Sequence, residues 1–528
     1  MVKVLLVSFF NDEAYGVRAI HSNLEENGID AYMLFFKLID SYRERSKGES
    51  NKDRFTADDL DNATTREVDL LVSHIKQNKY DVVGFSLVSQ HFTLYKRIYS
   101  KLKNISDLSI VIGGWQASLN PNDCIGYADF LCIGEGEDPM FELVRKLGNK
   151  EPVENIDNFW VNTKIHGAGS CKEAAAIDNH VTKNSVRPLP RDLSSFPGPL
   201  FDHKYSYVVE DNIIKNYDPY FENTRYGTFI GRGCPYKCTY CSNSYMANEV
   251  YPRQWTKVRH RSITHLQKEL LTVKERLKNV KNINFYDEVF TPKIEWIKEF
   301  FSWYKDVIDI PFYVFFYPGT CDDEKARVLA DNGLAGTWLG VQSGSERVRK
   351  EVFKRSTRNE VIFKQARIFH KYGISVRYDF IFDNPFETFE ESLESIYMIL
   401  ELPQPLSLNM FSLKYFPNTE ITDMAINAGF VSAVDLDDNQ EKDHETYMIR
   451  QDKGSLDDRF IGYLVFYISN ILTNAIITQH QKEGIFKLID DYKKSKDIEI
   501  IKNIVKPYLS KSNGGLSRKP EPTYCLIV

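Results

Sequence analysis

Apolar and polar positions come in alternating blocks along the first 150 residues. Short apolar runs at 4–9, 31–36, 81–88, 109–112 and 130–133 read as strands, and the amphipathic stretches between them read as helices, the first ending near Asn27. Strands separated by helix-length segments are joined by crossovers rather than hairpins, so they lie parallel. The pattern predicts a doubly wound, Rossmann-like α/β domain over residues 1–150. Ligands on such sheets bind over the carboxyl ends of the strands. Glycines fall at those ends: Gly113 and Gly114 close the fourth run, and Gly134-Glu135-Gly136-Glu137 closes the fifth. Glycine there lets the backbone lie close to a bulky ligand.

Residues 151–220 break this rhythm. Arg187-Pro188-Leu189-Pro190 and Phe196-Pro197-Gly198-Pro199 read as an extended connector. A second α/β rhythm starts near Tyr226, with strands expected at 228–230, 282–287, 311–317, 337–342, 376–382 and 406–413. Six strand–helix units predict a partial (β/α)6 barrel of the TIM type over residues 221–428, with its site at the strand carboxyl ends. Residues 429–528 read as a mainly helical region, with helices at 458–477 and 484–494, and carry no catalytic motif and no repeat of solenoid length.

Cysteine placement adds chemistry to this scaffold. Of eight cysteines, three stand at Cys234, Cys238 and Cys241, on a loop after the first strand of the second rhythm. Three thiolates at C-x3-C-x2-C spacing can ligate three irons of a four-iron cluster and leave the fourth iron open to a substrate. The alternatives are a zinc loop or unrelated thiols; structural zinc normally takes four ligands, often from paired C-x2-C knuckles, and no second knuckle is present. The remaining cysteines, Cys124, Cys132, Cys171, Cys321 and Cys525, are isolated, which points to a reducing cytoplasm rather than a disulfide framework. A net charge of −6 indicates no large basic surface for nucleic acid. No apolar run reaches membrane-spanning length, and the amino-terminal run lacks a small-residue cleavage site and reads as a strand. The final residues Cys525-Leu526-Ile527-Val528 formally match a prenylation box, or are an incidental apolar tail.

The cysteine loop after the first strand of a partial barrel resembles the radical S-adenosylmethionine (SAM) superfamily, and the amino-terminal domain resembles the cobalamin-binding domain fused to many of its members. The resemblance spans about residues 1–425. It implies that Cys234, Cys238 and Cys241 hold a 4Fe–4S cluster whose open iron binds SAM. Tyr240 matches the aromatic near the adenine, or is a packing residue. Asp287 and Glu288, ending the second barrel strand, would serve the SAM amino end, or cap the helix that follows. Gln342 and Ser343 would hydrogen-bond the ribose or the methionine carboxylate; many members have Glu at the position of Gln342. Arg355, placed on the next helix, would reach the SAM carboxylate or be a solvated charge. The segment from Asp379 through Asn384-Pro385-Phe386-Glu387-Thr388 resembles the part near the adenine, with Asp383 and Phe386 in place of two glycines.

In the cobalamin half, Ser86, Ser89, Gln90, Gly113, Gly114, Trp115, Gly134 and Glu135 are the candidates for holding the corrin and its nucleotide tail, against ordinary loop chemistry. The loop 11–16 lacks the histidine that many cobalamin proteins place there, and His21 on the following helix reads as a surface or packing residue. The resemblance implies SAM, a 4Fe–4S cluster and cobalamin as cofactors, a small-molecule substrate, and a flavodoxin- or ferredoxin-type electron donor. The activity it implies first is methylation of an unactivated carbon or a phosphinate through methylcobalamin. A cyclase or rearrangement enzyme, a methylthiolating enzyme needing an extra cluster, and a non-catalytic iron–sulfur redox protein are the rival readings.

Overall fold

The computed structural model describes residues 2–38, 57–163, 180–432, 454–472 and 476–512. The chain divides into two units. One takes in residues up to Gly231 and Tyr245–Val280; the other takes in Arg232–Ser244 and most of the chain from Lys281 onward.

A nine-stranded sheet forms the first unit: β1 (Lys3–Phe9), β2 (Asp30–Phe36), β3 (Val82–Ser86), β4 (Ser109–Gly113), β5 (Phe130–Cys132), β6 (Phe159–Asn162), β7 (Val181–Lys183), β8 (Ser206–Glu210) and β9 (Ile213–Asn216). Their order is β7-β6-β5-β4-β3-β1-β2-β8-β9. The central five, β2-β1-β3-β4-β5, are all parallel, and the winding reverses between β1 and β3. That reversal opens a crevice at the strand carboxyl ends. In β1, Leu5, Val7 and Phe9 enter one core beneath helices Ala57–Asn78 and Phe92–Leu102, while Val4 and Leu6 enter the other beneath Tyr15–Glu26 and Glu137–Asn149. A strand covered on both faces needs apolar residues at consecutive positions, which is why these runs are unbroken.

The stretch 151–220, expected as an extended connector, instead supplies β6 to β9. β8 lies parallel to β2, and β6, β7 and β9 pair antiparallel with their neighbours. These outer strands are three to five residues long, too short for periodicity to register.

The strand leading to the cysteine loop is β10 (Arg225–Thr228), a few residues earlier than expected. A buried carboxylate fixes it. Glu269 accepts from Tyr226 Oη (2.9 Å), Thr228 Oγ1 (2.6 Å) and Tyr15 Oη (3.1 Å), and pairs with Arg261. Arg261 also donates to the Phe229 carbonyl (3.0 Å).

The second unit's strands are β11 (Asn282–Phe285), β12 (Phe312–Phe316), β13 (Leu334–Gln342), β14 (Ser375–Phe382) and β15 (Ser407–Ser412), parallel and in chain order. Helices Ile294–Val307, Asp323–Asp331, Asn359–Lys371 and Phe389–Glu401 alternate with them, as a partial barrel requires. Phe285 and Phe312 pack against Phe301 and Tyr304 on the helix side. By the two-residue period of a strand, Tyr313 and Phe315 face the other way.

The carboxyl-terminal helices are Leu456–Ile471, Gln479–Ser495 and Glu499–Ser512; the last was not anticipated, and Pro507 within it reads as a breaker in sequence. Phe460 stacks on Tyr492 at 3.8 Å, and both meet Phe389. No helix among the described residues is long and apolar enough to cross a membrane. Cys171 and the prenylation box lie outside the described residues.

Glu269→Ala would leave Arg261 buried without its counter-ion, a loss of about 3–5 kcal/mol by the usual penalty for one partner of a buried pair. Thermal unfolding of the variant should show a clearly lowered transition, and Glu269→Gln, which keeps hydrogen bonding, a smaller drop.

Candidate functional site

Cys238 is buried and Cys234 and Cys241 are partly exposed. The three thiols sense one another. Burial, then Cys241, pushes the Cys234 thiol well up; burial, then Cys238, pushes Cys241 to about 11, opposed by the backbone N–H and side chain of Asn243. Asn243 Nδ2 donates to Cys241 Sγ at 3.7 Å. Loading such thiols with metal must release their protons. The loop is anchored at its centre: Thr239 N–H donates to the Phe353 carbonyl (3.3 Å), Thr239 Oγ1 to the Val352 carbonyl (2.6 Å), and Ile421 N–H to the Thr239 carbonyl (3.1 Å). Among the described residues no three His, Cys, Asp or Glu side chains are placed to grip a single ion together. A four-iron cluster asks for something different, one thiolate on each of three irons, and three sulfur donors on one anchored loop fit that demand.

Arg355 is not a solvated charge, nor is it on a helix; it follows the π-turn Val348–Val352 and is 6% exposed. Its guanidinium donates to the Gly340 carbonyl (2.5 Å), Cys238 Sγ (3.4 Å) and Tyr240 Oη (3.2 Å), and lies 4.0 Å from the Tyr317 ring centroid. Tyr317 in turn stacks on Tyr236 at 3.6 Å. Burial opposes the charge of Arg355, and Tyr240 and Cys238 outweigh it, leaving the pKa raised. Tyr240, expected near an adenine or in packing, is thus the hydrogen-bond partner of this cation. Tyr236 was not singled out from sequence, although it stands between two of the cysteines; Tyr317 ends the aromatic-rich run 312–317, which reads from sequence as a shield for a radical or as a core strand.

Gln342 ends β13 in a left-handed conformation (φ 75°), where the register with β14 slips between Gly340 and Gln342. A left-handed glutamine is an uncommon and strained conformation, of the kind that clusters at functional sites. Ser343 is fully buried; its hydroxyl donates to Glu387 Oε1 (2.8 Å) and accepts from Ser345 N–H (3.1 Å). Burial pushes Glu387 up to about 8. Thr388 caps helix Phe389–Glu401 through a capping box with Glu391. Asp383, where the resembled family has glycine, adopts φ 55°, a conformation aspartate tolerates better than most residues.

Asp287 is buried, and Glu288 acts electrostatically on Cys234 and Cys241. Neither caps the following helix, whose cap is Lys293 with no side-chain bond. Asp379 accepts from Asn409 Nδ2 at 2.7 Å, and burial pushes its carboxyl up to about 7.

In the first unit, Gly113, Gly114 and Trp115 follow β4, and Ser86, Ser89 and Gln90 end or follow β3. Gly114 (φ 87°) is obligatory: a Cβ there would stand 2.7 Å from the Leu87 carbonyl. Gly134 (φ 83°) is pressed against Tyr251, whose hydroxyl would be 2.0 Å from an added Cβ and which accepts from Glu135 N–H at 2.9 Å. The Glu135 carboxylate is held by Arg259 (2.5 and 3.1 Å), Ser89 donates to Gln116 (2.7 Å), and Trp115 meets Trp255 edge-on. The space freed by Gly114 and Gly134 is therefore filled by the protein itself, while Ser86 remains exposed. His21 is a core residue, with its Nε2 3.1 Å from the Ala31 carbonyl and its pKa lowered to about 4 by burial.

A thiol triad on a loop that follows β10, in one chain with a doubly wound sheet, is the combination found in a radical SAM enzyme with a corrinoid-binding domain. Residues 228–398 match the Radical SAM superfamily and residues 49–144 match the B12 binding domain. These domains bring SAM, a 4Fe–4S cluster and cobalamin as the cofactors. The chain is 23% identical over 427 residues to the cytidylyl-2-hydroxyethylphosphonate methyltransferase of Streptomyces wedmorensis, covering 76% of this chain and 77% of that one. It is 21% identical over 334 residues to the bacteriochlorophyllide d C-8(2)-methyltransferase of Chlorobaculum tepidum, covering 61% and 63%. Among solved structures it is similar in fold to the radical SAM methyltransferase TsrM from Kitasatospora setae (TM-score 0.60, 16% identity, 82% of this chain and 79% of that one). The cobalamin-dependent SAM radical enzyme OxsB is likewise similar (TM-score 0.62, 14% identity, 97% and 76%).

Arg355→Lys keeps the charge but loses the fork that reaches Gly340, Cys238 and Tyr240 together. Iron content after anaerobic reconstitution should fall several-fold relative to the parent, and Arg355→Ala should lower it further. Asp379 holds a proton up to about pH 7 in the folded chain but only to about 4 when unfolded. Between those values the folded state binds more protons, so this group's contribution to stability falls as pH rises. Asp379→Asn carries no such proton. Its stability relative to the parent, measured by denaturant unfolding at pH 5.5 and pH 8, should improve at the higher pH.

Proposed function

We propose that this enzyme is a cobalamin-dependent methyltransferase acting on an unactivated carbon, or a phosphinate, of a small molecule. The observation that carries the reading is the thiol triad in one chain with a corrinoid domain, and the chain is similar to relatives whose names are methyltransferases. With its cofactors bound, such a protein has reductive cleavage of SAM and methyl transfer through cobalamin available to it.

The roles of the chain's own groups follow from their placement. Cys234, Cys238 and Cys241 would hold the cluster. Arg355, fixed by Gly340 and Tyr240, would keep Cys238 oriented. Glu288 lies within electrostatic reach of two thiols and is suited to a SAM ammonium. Gln342, aimed by the bulge in β13, is suited to the ribose hydroxyls or methionine carboxylate. Ser343 would act by holding Glu387. Ser86, Gln90 and Gly113, at the carboxyl ends of β3 and β4, border the crevice suited to the corrinoid. A flavodoxin- or ferredoxin-type protein would deliver the electron.

Among the described residues, the amino-terminal cysteines disfavour methylthiolation. Cys124 and Cys132 are buried in separate cores, with thiols pushed up to about 12 by burial, and cannot share a second cluster.

The test is anaerobic reconstitution with iron, sulfide and cobalamin, followed by SAM, a reductant and candidate substrates. The expected outcome is 5′-deoxyadenosine together with a product heavier by one methyl group. A cluster-loaded protein that makes 5′-deoxyadenosine but shifts product mass by no methyl would replace the proposal with skeletal rearrangement or cyclisation. A cluster-loaded protein that makes no 5′-deoxyadenosine would sink radical catalysis altogether.

A further inference from the structure

The sheet face of the second unit that points away from the helices carries a continuous aromatic wall. Phe315 of β12 and Trp338 of β13 are register partners, and their rings stack at 4.4 Å and 8°. Tyr286, just past β11, extends the wall on one side, 6.0 Å from Phe315; Arg377 of β14 lies over Trp338 at 5.9 Å on the other. Each of these four side chains keeps partial exposure, unlike the helix-side residues Phe285, Phe312 and Phe316. Flat rings in such an arrangement present a surface on which another flat ring gains stacking energy beyond its area burial.

Two polar groups flank the wall. On the β11 side, the Asn284 amide bonds Tyr286 Oη (3.1 Å) at one end, while its other end is buried without a protein partner. A buried amide oxygen left so is costly, and a polar ligand atom would remove that cost. On the β14 side, Asp379 receives Asn409 Nδ2 on one oxygen, and Arg377 and Arg355 act on its charge. Asp379 is the register partner of Gly340 on one side and of Asn409 on the other. The glycine leaves the carboxyl uncovered from the β13 side.

We infer that this face is a binding site for a planar conjugated substrate that stacks on Phe315 and Trp338 and donates a ring-borne O–H or N–H to Asp379. The inference rests on reading the second unit as the core of a radical enzyme, and it names a substrate class for that core. A saturated substrate would forfeit the stacking, and a ring without a donor would leave Asp379 unanswered.

Equilibrium dialysis of the full, cluster-loaded chain under anaerobic conditions tests this with three probes: 2-naphthol, 2-methoxynaphthalene and decahydro-2-naphthol. At pH 8.5, above the range in which Asp379 keeps its proton, the parent protein should bind 2-naphthol at least about tenfold more tightly than 2-methoxynaphthalene, which cannot donate to the carboxylate, and several-fold more tightly than decahydro-2-naphthol, which cannot stack. Asp379→Ala should erase the difference between the first two probes while leaving 2-methoxynaphthalene unchanged, and Trp338→Leu should weaken both. Equal affinity of the parent for all three probes would overturn the inference, and that arm needs no variant to fold. So would 2-naphthol binding that survives Asp379→Ala. Ring discrimination in a protein that never transfers methyl would leave this inference standing and remove only the methyltransferase reading.

Discussion

The second unit's chemistry depends on one buried guanidinium. Arg355 reaches the carbonyl of Gly340 at the end of β13, the sulfur of Cys238 and the hydroxyl of Tyr240 on the cysteine loop, and the ring of Tyr317 after β12. These groups come from three separated stretches of chain, so the loop cannot shift without breaking charge-assisted bonds in a dry environment. A cation there is costly to bury alone. It is tolerated because a sulfur, a phenol and a carbonyl share it. The same bonds that fix the loop also hold the sulfur of Cys238 in place, so anchoring and ligand placement are one feature.

The sheet beneath gives this arrangement its rigidity and its aim. Five parallel strands place their carboxyl ends, with Asp287, Tyr317, Gln342 and Asp383 following or ending them, at one rim. Two residues there, Gln342 and Asp383, take left-handed backbone conformations. The face leading up to that rim alternates aromatic and polar side chains, with Trp338 beside Arg377 and Asp379 beside Asn409. In the first unit the order 2-1-3-4-5 opens a crevice between β1 and β3, and the glycine turns near it are held closed by Leu87 and Tyr251.

Much of this was legible in the chain. The runs that became β1 to β5 and β11 to β15 are spaced by helix-length segments, and most carry consecutive apolar residues, so the rhythm marks them to within a few residues. The connector did not yield to the same reading: β6, β7 and β9 have three or four residues each, and Pro- and Gly-containing stretches beside them mask their pairing. Arg355 shows the limit for side chains. Its sequence neighbours are polar, so a solvated charge was a fair alternative; only packing against Tyr317 and Cys238 buries it. Glu135 shows the reverse, a residue at a ligand-facing strand end whose carboxylate is taken by Arg259.

The sequence by itself determined the kind of chemistry, because C-x3-C-x2-C spacing is a local property set by the reach of three side chains on one loop. It also determined the two α/β layers, because strand and helix periods are written in consecutive residues. The tertiary structure alone decided which polar groups meet: Arg355 with Cys238, Ser343 with Glu387, Asp379 with Asn409. Those partners lie 117, 44 and 30 positions apart in the chain. Contacts over such separations depend on how strands stack in register, and no local pattern encodes them.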